Sequence, residues 1–415
     1  MAESTWAEEK KTKTYPKLGE DMSTDVLIIG AGITGVLTAY LLAKEGKKVT
    51  LVDSGEIASG ATMYTTAFIT KVIDTGLSEL VKMFEPEEIK KIWGSGEKAI
   101  DLIEEIIKTE RIDCEFIRCP AYLYAAFEKQ FEALEREEQA AKSLGFDVRL
   151  SRENDLNFNN HGYLEVKNQA KFHPLKFLYP LAERIEAMGV KIFERSEIAN
   201  LSGRKIIEAE TKDQKIIKAG KVIIATYDPF NKPRQAFLKK GMYVSYIMEV
   251  ELPKGLIREA IYQDLHSPYY YFRIDPRENS DRMILGGADH RVELPISKEK
   301  NFKDLEEYLK GLLGEGVQYK MINKWRGPIL EPADGIPLIG EYKGNHYLAA
   351  AFSGNGMTYS AVAAMIFRDL VSGRANEWAD LYDPNRKRKL SRYYRKGLDY
   401  AKEFFGGAVK NTIKY

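Results

Sequence analysis

Cysteine is nearly missing from this 415-residue sequence, which holds only Cys114 and Cys119. Two thiols cannot supply a disulfide framework for a chain of this size. With five histidines in all, no Cys–His cluster is visible that could complete a zinc or iron–sulfur site. Both cysteines read as reduced, structural thiols of a cytosolic protein. Net charge is almost absent too: 62 basic residues stand against 61 acidic ones. That balance offers no electrostatic footprint for nucleic acid, so none is expected as a partner. Residues 1–23 are polar and lack the apolar core of a signal peptide. No apolar run approaches the ~20 residues needed to span a bilayer. Internal repeats and low-complexity linkers are missing as well. The sequence therefore points to a cytoplasmic globular protein, 44% apolar and 30% charged, long enough for two or three domains' worth of core.

What is present begins at Asp25. Val26-Leu27-Ile28-Ile29 is an all-apolar run of the kind that forms a parallel strand buried on both faces. The stretch Ile33 to Lys44 reads as a helix closed by Gly46, and Lys48 to Val52 as a second strand ending at Asp53. Farther on, 77–109 and 128–144 are helical, Tyr122 to Ala126 is a strand, and a second α/β passage runs from a helix near 174–188 to strands at 190–194 and 222–226. The section 241–290 alternates and is rich in tyrosine, which suggests a largely antiparallel sheet with one working face. Glycine-rich α/β sequence returns over 325–373.

Gly30-Ala31-Gly32-Ile33-Thr34-Gly35 fits the GxGxxG pattern between a strand and a helix, the context in which that pattern has meaning. Gly30 permits the tight turn, Gly32 lets a pyrophosphate approach the backbone, and Gly35 lets helix and strand pack closely. The helix N-terminus then offers free N–H groups to the phosphates. Asp53 can accept bonds from the adenosine ribose and would repel a 2′-phosphate, which disfavours NADP. Two further stretches favour FAD over NAD. Ser59-Gly60-Ala61-Thr62 offers small residues and hydroxyls along the path of a pyrophosphate and ribityl chain. Gly354-Asn355-Gly356-Met357-Thr358 opens a second apolar helix, whose N–H groups could stabilise charge on a reduced flavin. Ser54, Thr65, Thr66, Ile198, Ala225 and Thr226 complete the cofactor-binding candidates.

On these residues the chain resembles the D-amino-acid-oxidase-like superfamily of FAD-dependent oxidoreductases, most of all the branch that often carries a C-terminal Rieske domain. The matching stretches include Ser4-Thr5-Trp6, Asp25 to Gly35, Thr62 to Ala67, Phe172-His173-Pro174, Gly286 to His290, Asp334 to Gly340 and Phe352 to Thr358, so the resemblance covers essentially the whole chain. It implies extended FAD at the interface with an antiparallel substrate domain, and oxidation of a C–N bond by hydride transfer to flavin N5. Three departures qualify it. No cysteine follows Cys119, so the Rieske ligands have no counterpart and no internal iron–sulfur acceptor is expected. No cysteine lies in 325–334, where some relatives attach flavin, so dissociable FAD is expected. Ile329 stands where amino-acid-oxidising relatives place a carboxylate-binding arginine, with Arg326 beside Trp325, which counts against an α-amino acid as substrate.

The fold class implied is α/β: a Rossmann-like FAD-binding domain with a mixed or antiparallel-sheet, α+β substrate domain. The FAD-binding part is expected over 24–110, 160–235 and 320–385, and the substrate part over 111–159 and 236–319. Residues 1–23 read as an N-terminal extension and 386–415 as a basic helical tail. The candidates beside the substrate are Tyr271, Arg273, Tyr246 and Arg326; the residues leave open whether Tyr271 and Arg273 bind substrate or pack. His290 and His173 read as structural. Electrons could pass to oxygen, or, in a dehydrogenase, to a quinone or protein carrier; a flavoprotein acting on a macromolecule is the third possibility. The tail, with ten basic residues against Asp399 and Glu403, suits either a packed terminal helix or contact with an anionic membrane or acidic partner.

Overall fold

A computed structural model describes residues 3–228, 241–294 and 297–386. Its framework is set by the apolar run at Val26 to Ile29. The strand Met22–Ile29 lies between Val49–Val52 and Ile216–Ile224, parallel to both; Lys191–Phe193 and His346–Ala350 extend the parallel sheet on either side. Because the run is apolar at every position, it feeds two cores. Val26 and Ile28 face the helices Ile33–Lys44, Pro174–Ala187 and Gly356–Val371, whereas Leu27 and Ile29 pack with Leu201, Ile207 and Val222 on the other side. Each fully buried aliphatic side chain contributes about 1.5–3 kcal/mol relative to exposure.

The second sheet has nine strands among the described residues, and nearly all its neighbours are antiparallel. At one end, the edge strand Lys320–Glu331 pairs with Gly241–Pro253, which pairs in turn with Ser280–Arg291; Tyr271–Pro276 follows. The tyrosine-rich alternation of 241–290 is thus a sheet with aromatic residues on both faces.

Several local expectations shift for identifiable reasons. The helical stretch 77–109 is two helices, Leu77–Met83 and Pro86–Glu110: Pro86 cannot continue a helix but suits its first turn, and Glu85 with Glu88 forms the capping box. The sheet-to-segment assignment also differs. Strands Tyr163–Lys171 and Lys320–Glu331, expected with the FAD-binding part, belong to the second sheet. Their partners lie far away in sequence, so segment composition could not reveal the pairing.

The N-terminal extension is pinned rather than loose over its described part. Trp6 is fully buried, its indole N–H donates to Thr65 O at 2.7 Å, and its ring lies 5.4 Å from the Arg273 guanidinium and 5.1 Å from that of Arg282. Of the basic tail only Arg386 is described. It pairs with Asp334 and donates to the carbonyls of Ile336 and Pro337, which commits it to the fold. The rest of the tail lies outside the described residues.

Candidate active site

The carboxyl ends of the parallel strands open into one cavity of about 600 Å³. This is the place where open α/β sheets take ligands, because helix N-termini and unpaired strand ends converge there. Gly30 has φ +109°, and a Cβ on it would meet Ala225 O at 2.5 Å; a Cβ on Gly35 would sit 1.9 Å from Gly30 O. The first glycine thus permits the turn and the third the close packing of helix on strand. Gly32, Ser59, Gly60 and Ala61 line the cavity with little side chain, leaving backbone accessible to a ligand.

Asp53 lies at the cavity wall with both carboxylate oxygens engaged: Oδ2 accepts from Ala31 N–H at 2.6 Å and Oδ1 from Gly55 N–H at 2.7 Å. Burial raises its pKa while these two bonds oppose the rise. Each oxygen keeps a lone pair for a ribose hydroxyl. Thr62 Oγ1 accepts from Ile33 N–H at 3.2 Å, and Thr34 pairs with Ser360 at 2.7 Å, so the two helix N-termini are tied together beside the cavity.

Of the cofactor-binding candidates, Gly30, Gly32, Ile33, Thr34, Asp53, Ser54, Ser59, Gly60, Ala61, Thr62, Thr65, Thr66, Ile198, Ala225 and Thr226 line the cavity, as do Gly354, Asn355, Gly356 and Met357. Three candidates do not. Ala31 holds Asp53, Gly35 serves packing, and Thr358 clamps Thr70, accepting its N–H at 2.9 Å and donating to its carbonyl at 3.0 Å. The second helix N-terminus is also less open than expected. Gly354 N–H donates to Asp74 at 2.8 Å, and the Asn355 side-chain N–H donates to Val72 O at 2.8 Å.

The other end of the cavity is walled by the second sheet, through Ser245, Ile247, Gln263, Tyr269, Tyr271 and Ile329. Tyr271 lines the cavity, its hydroxyl 2.8 Å from that of Ser245, and burial keeps it a neutral phenol. The other three candidates beside the substrate are corrected. Tyr246 lies between two cavity-lining residues, Ser245 and Ile247, so strand alternation turns it to the opposite face, where it stacks on His290 at 5.6 Å. Arg326 is in register with Tyr246 and shares that face. Arg273 shares the Tyr271 face but sits deeper. It pairs with Asp275 and donates to the carbonyls of Thr66, Ala67 and Phe172, so it does not line the cavity. His290 and His173 are structural: Asn301 lies 3.3 Å from His290, and His173 caps the helix Pro174–Ala187 by accepting Lys176 N–H.

Sequence reasoning missed Ser245, Gln263 and Asp74. Tyr269 could have been taken, since strand alternation over 269–274 puts it on the same face as Tyr271. For Ser245 the signal was its place one residue from Tyr246. Asp74 carried none. Among the described residues lining the cavity there is no lysine, arginine or histidine, and no group of three or more potential metal ligands clusters among the described residues.

Comparison with known proteins agrees with this geometry. A family model described as FAD dependent oxidoreductase matches residues 25–370. A Bacillus subtilis (strain 168) protein, named as a Rieske 2Fe-2S iron-sulfur protein, is 30% identical over 99% of this chain and 80% of its own length. Gamma-glutamylputrescine oxidoreductase of Escherichia coli (strain K12) is 21% identical over 90% of this chain and 89% of its own length. Among solved structures, glycine oxidase from Bacillus cereus ATCC 14579 superposes with a TM-score of 0.73 at 17% identity, covering 88% of this chain and 99% of that one. L-proline dehydrogenase from P. horikoshii gives 0.72 at 17% identity, covering 92% and 99%.

Proposed function

The chain belongs to the FAD dependent oxidoreductase family, and from that premise we propose that it oxidises a small amine at a C–N bond, with FAD held non-covalently. One observation carries the choice of substrate: the described residues lining the cavity include carboxylates and tyrosines but no cationic side chain. A carboxylate substrate finds no counter-charge there, whereas an ammonium group finds Asp74 together with the faces and hydroxyls of Tyr269 and Tyr271. Ile329, at the position expected to hold an arginine in amino-acid oxidases, lines the cavity with an apolar side chain.

FAD, when bound, supplies the hydride acceptor at its N5. The chain supplies the rest. Gly30 to Thr34 and Asp53 hold the dinucleotide, Tyr269 and Tyr271 orient the amine, and Phe68, Ile247 and Ile329 keep water from the reacting carbon. The stretch 325–334 holds no cysteine, so acid precipitation should release all the flavin to the supernatant. The two buried thiols support a reducing, cytoplasmic setting.

The reading is tested by anaerobic addition of amines and amino acids to the FAD-loaded protein. Bleaching by simple amines, with glycine and other α-amino acids much slower, supports it; bleaching by α-amino acids alone overturns it. Reoxidation then identifies the acceptor: fast in air for oxygen, slow in air but fast with a dye for a quinone or protein carrier.

A further inference from the structure

Strands Gly241–Pro253 and Ser280–Arg291 pair with Val244 opposite His290 but Tyr246 opposite Gly287. Ser245 alone therefore faces two residues, Ala288 and Asp289. The positive φ of Gly287 (+148°) and Ala288 (+53°) marks the same bulge. A bulge re-aims side chains that strand alternation would send elsewhere. Here it sets Asp289 opposite Ser245, whose hydroxyl is itself paired with Tyr271. Ser245 and Tyr271 line the cavity and Asp289 stands behind them. Asp289 Oδ1 is buried without a hydrogen-bond partner, a costly arrangement for a carboxyl that only supports the fold.

The groups facing Asp289 come from four elements. Ser245 comes from the Gly241–Pro253 strand, Tyr269 to Tyr271 from the start of the next hairpin, Asp74 from the loop after Phe68–Ile69, and Glu331 from Lys320–Glu331. Burial raises the Asp289 pKa, the Ser245 bond lowers it, and Asp74 and Glu331 raise it again, to about 7.

We propose that Asp289 is the terminal proton acceptor of a Tyr271–Ser245–Asp289 relay that neutralises a substrate ammonium in the cavity. The inference rests on the amine reading above. The ammonium gives a proton to the Tyr271 oxygen as Tyr271 passes its hydroxyl proton to Ser245 Oγ and Ser245 passes its own to Asp289. The products are a neutral amine, two restored hydroxyls and a carboxylic acid; no electron moves. Only the neutral amine has the lone pair that C–N oxidation needs, and desolvation in the cavity lowers the ammonium pKa toward that of the acceptor. Tyr271, a phenol at every working pH, conducts the proton without storing it.

The test uses the full FAD-loaded chain labelled with carboxyl-13C aspartate and titrated by infrared difference spectroscopy. One aspartic acid band should disappear with a midpoint near 7, be missing in Asp289→Asn, and shift to a higher midpoint in Ser245→Ala, because the lost bond favoured the charged form. No such titration, persistence of the band in Asp289→Asn, or an unmoved midpoint in Ser245→Ala overturns the relay. An unchanged flavin spectrum in the variants shows that the fold is kept. These readouts need no turnover, so a panel in which no amine bleaches the flavin strikes the amine reading alone. With an amine that does, flavin reduction at neutral pH should slow about 10²-fold in Asp289→Asn, recover in part in Asp289→Glu, and lose its fall below pH about 7. Equal rates in Asp289→Asn and the parent overturn the proposal.

Discussion

Asp53 and Arg273 illustrate how differently two charged side chains are used. The Asp53 carboxylate accepts two backbone N–H bonds and still faces the cavity. Asp53→Ala removes the ribose acceptor and leaves the Ala31 and Gly55 amides unpaired. At about 1.5–3 kcal/mol for bonds to a charged group, FAD affinity should fall about 10- to 100-fold, read by flavin fluorescence on titrating FAD into the apoprotein. Arg273, by contrast, serves the fold. It and Arg282 pair with Asp275, which Lys171 also reaches at 2.7 Å. Arg273→Met breaks this buried group and should cost about 3–5 kcal/mol, seen as a lower denaturant midpoint, with the substrate preference of the remaining folded enzyme unchanged. The sequence showed both residues as chemically able. It could not show that Arg273 lies one strand step below the cavity, because that depends on which carbonyls close over it.

At the scale of elements, the segment before the first strand behaves as part of the cofactor site. Trp6 donates to Thr65 O, and Glu194 accepts from Lys11 and from Tyr15 N–H while also holding Ile57 N–H in the loop after Asp53. Trp6→Ala should therefore cost about 3–5 kcal/mol of stability and weaken FAD binding together, whereas a change at exposed Lys13 should do neither; thermal melts with and without FAD separate the two effects. The bulge at Ser245 is the other decisive element. Glycine at 286 and 287 hinted at an irregularity, but only the pairing register shows which side chain it turns.

For the whole molecule, acid should be the weak side. Although burial alone would raise it, the pKa of Glu115 is held down to about 2 by Lys176, Arg277 and Arg282. Burial drives His173 down to about 4. The unfolded chain therefore binds protons before the native one does in both cases. His173 costs stability as pH falls from about 6.5 toward 4, and the Glu115 contribution, complete above about 4.5, is lost as pH falls toward 2. Between neutrality and about pH 4 the His173 loss is opposed by protonation of Asp289, whose pKa is raised to about 7, so thermal midpoints should decline clearly only as pH falls from about 4.5 toward 2. His173→Gln should raise the midpoints near pH 4 relative to the parent, and an unchanged pH profile in that variant would remove His173 from the account.

By itself the sequence determined the features that local chemistry enforces: the buried parallel strand and its glycine turn, the acidic residue ending the second strand, and the small-residue stretches that line the cofactor cavity. Each depends on residues within a few positions of one another, so spacing suffices to read it. Only the tertiary structure decided which tyrosine faces the cavity, that Arg273 and Arg326 lie outside it, and that Asp289 stands behind Ser245. Those outcomes depend on strand register across dozens of residues, and a shift of one position sends a side chain to the opposite face.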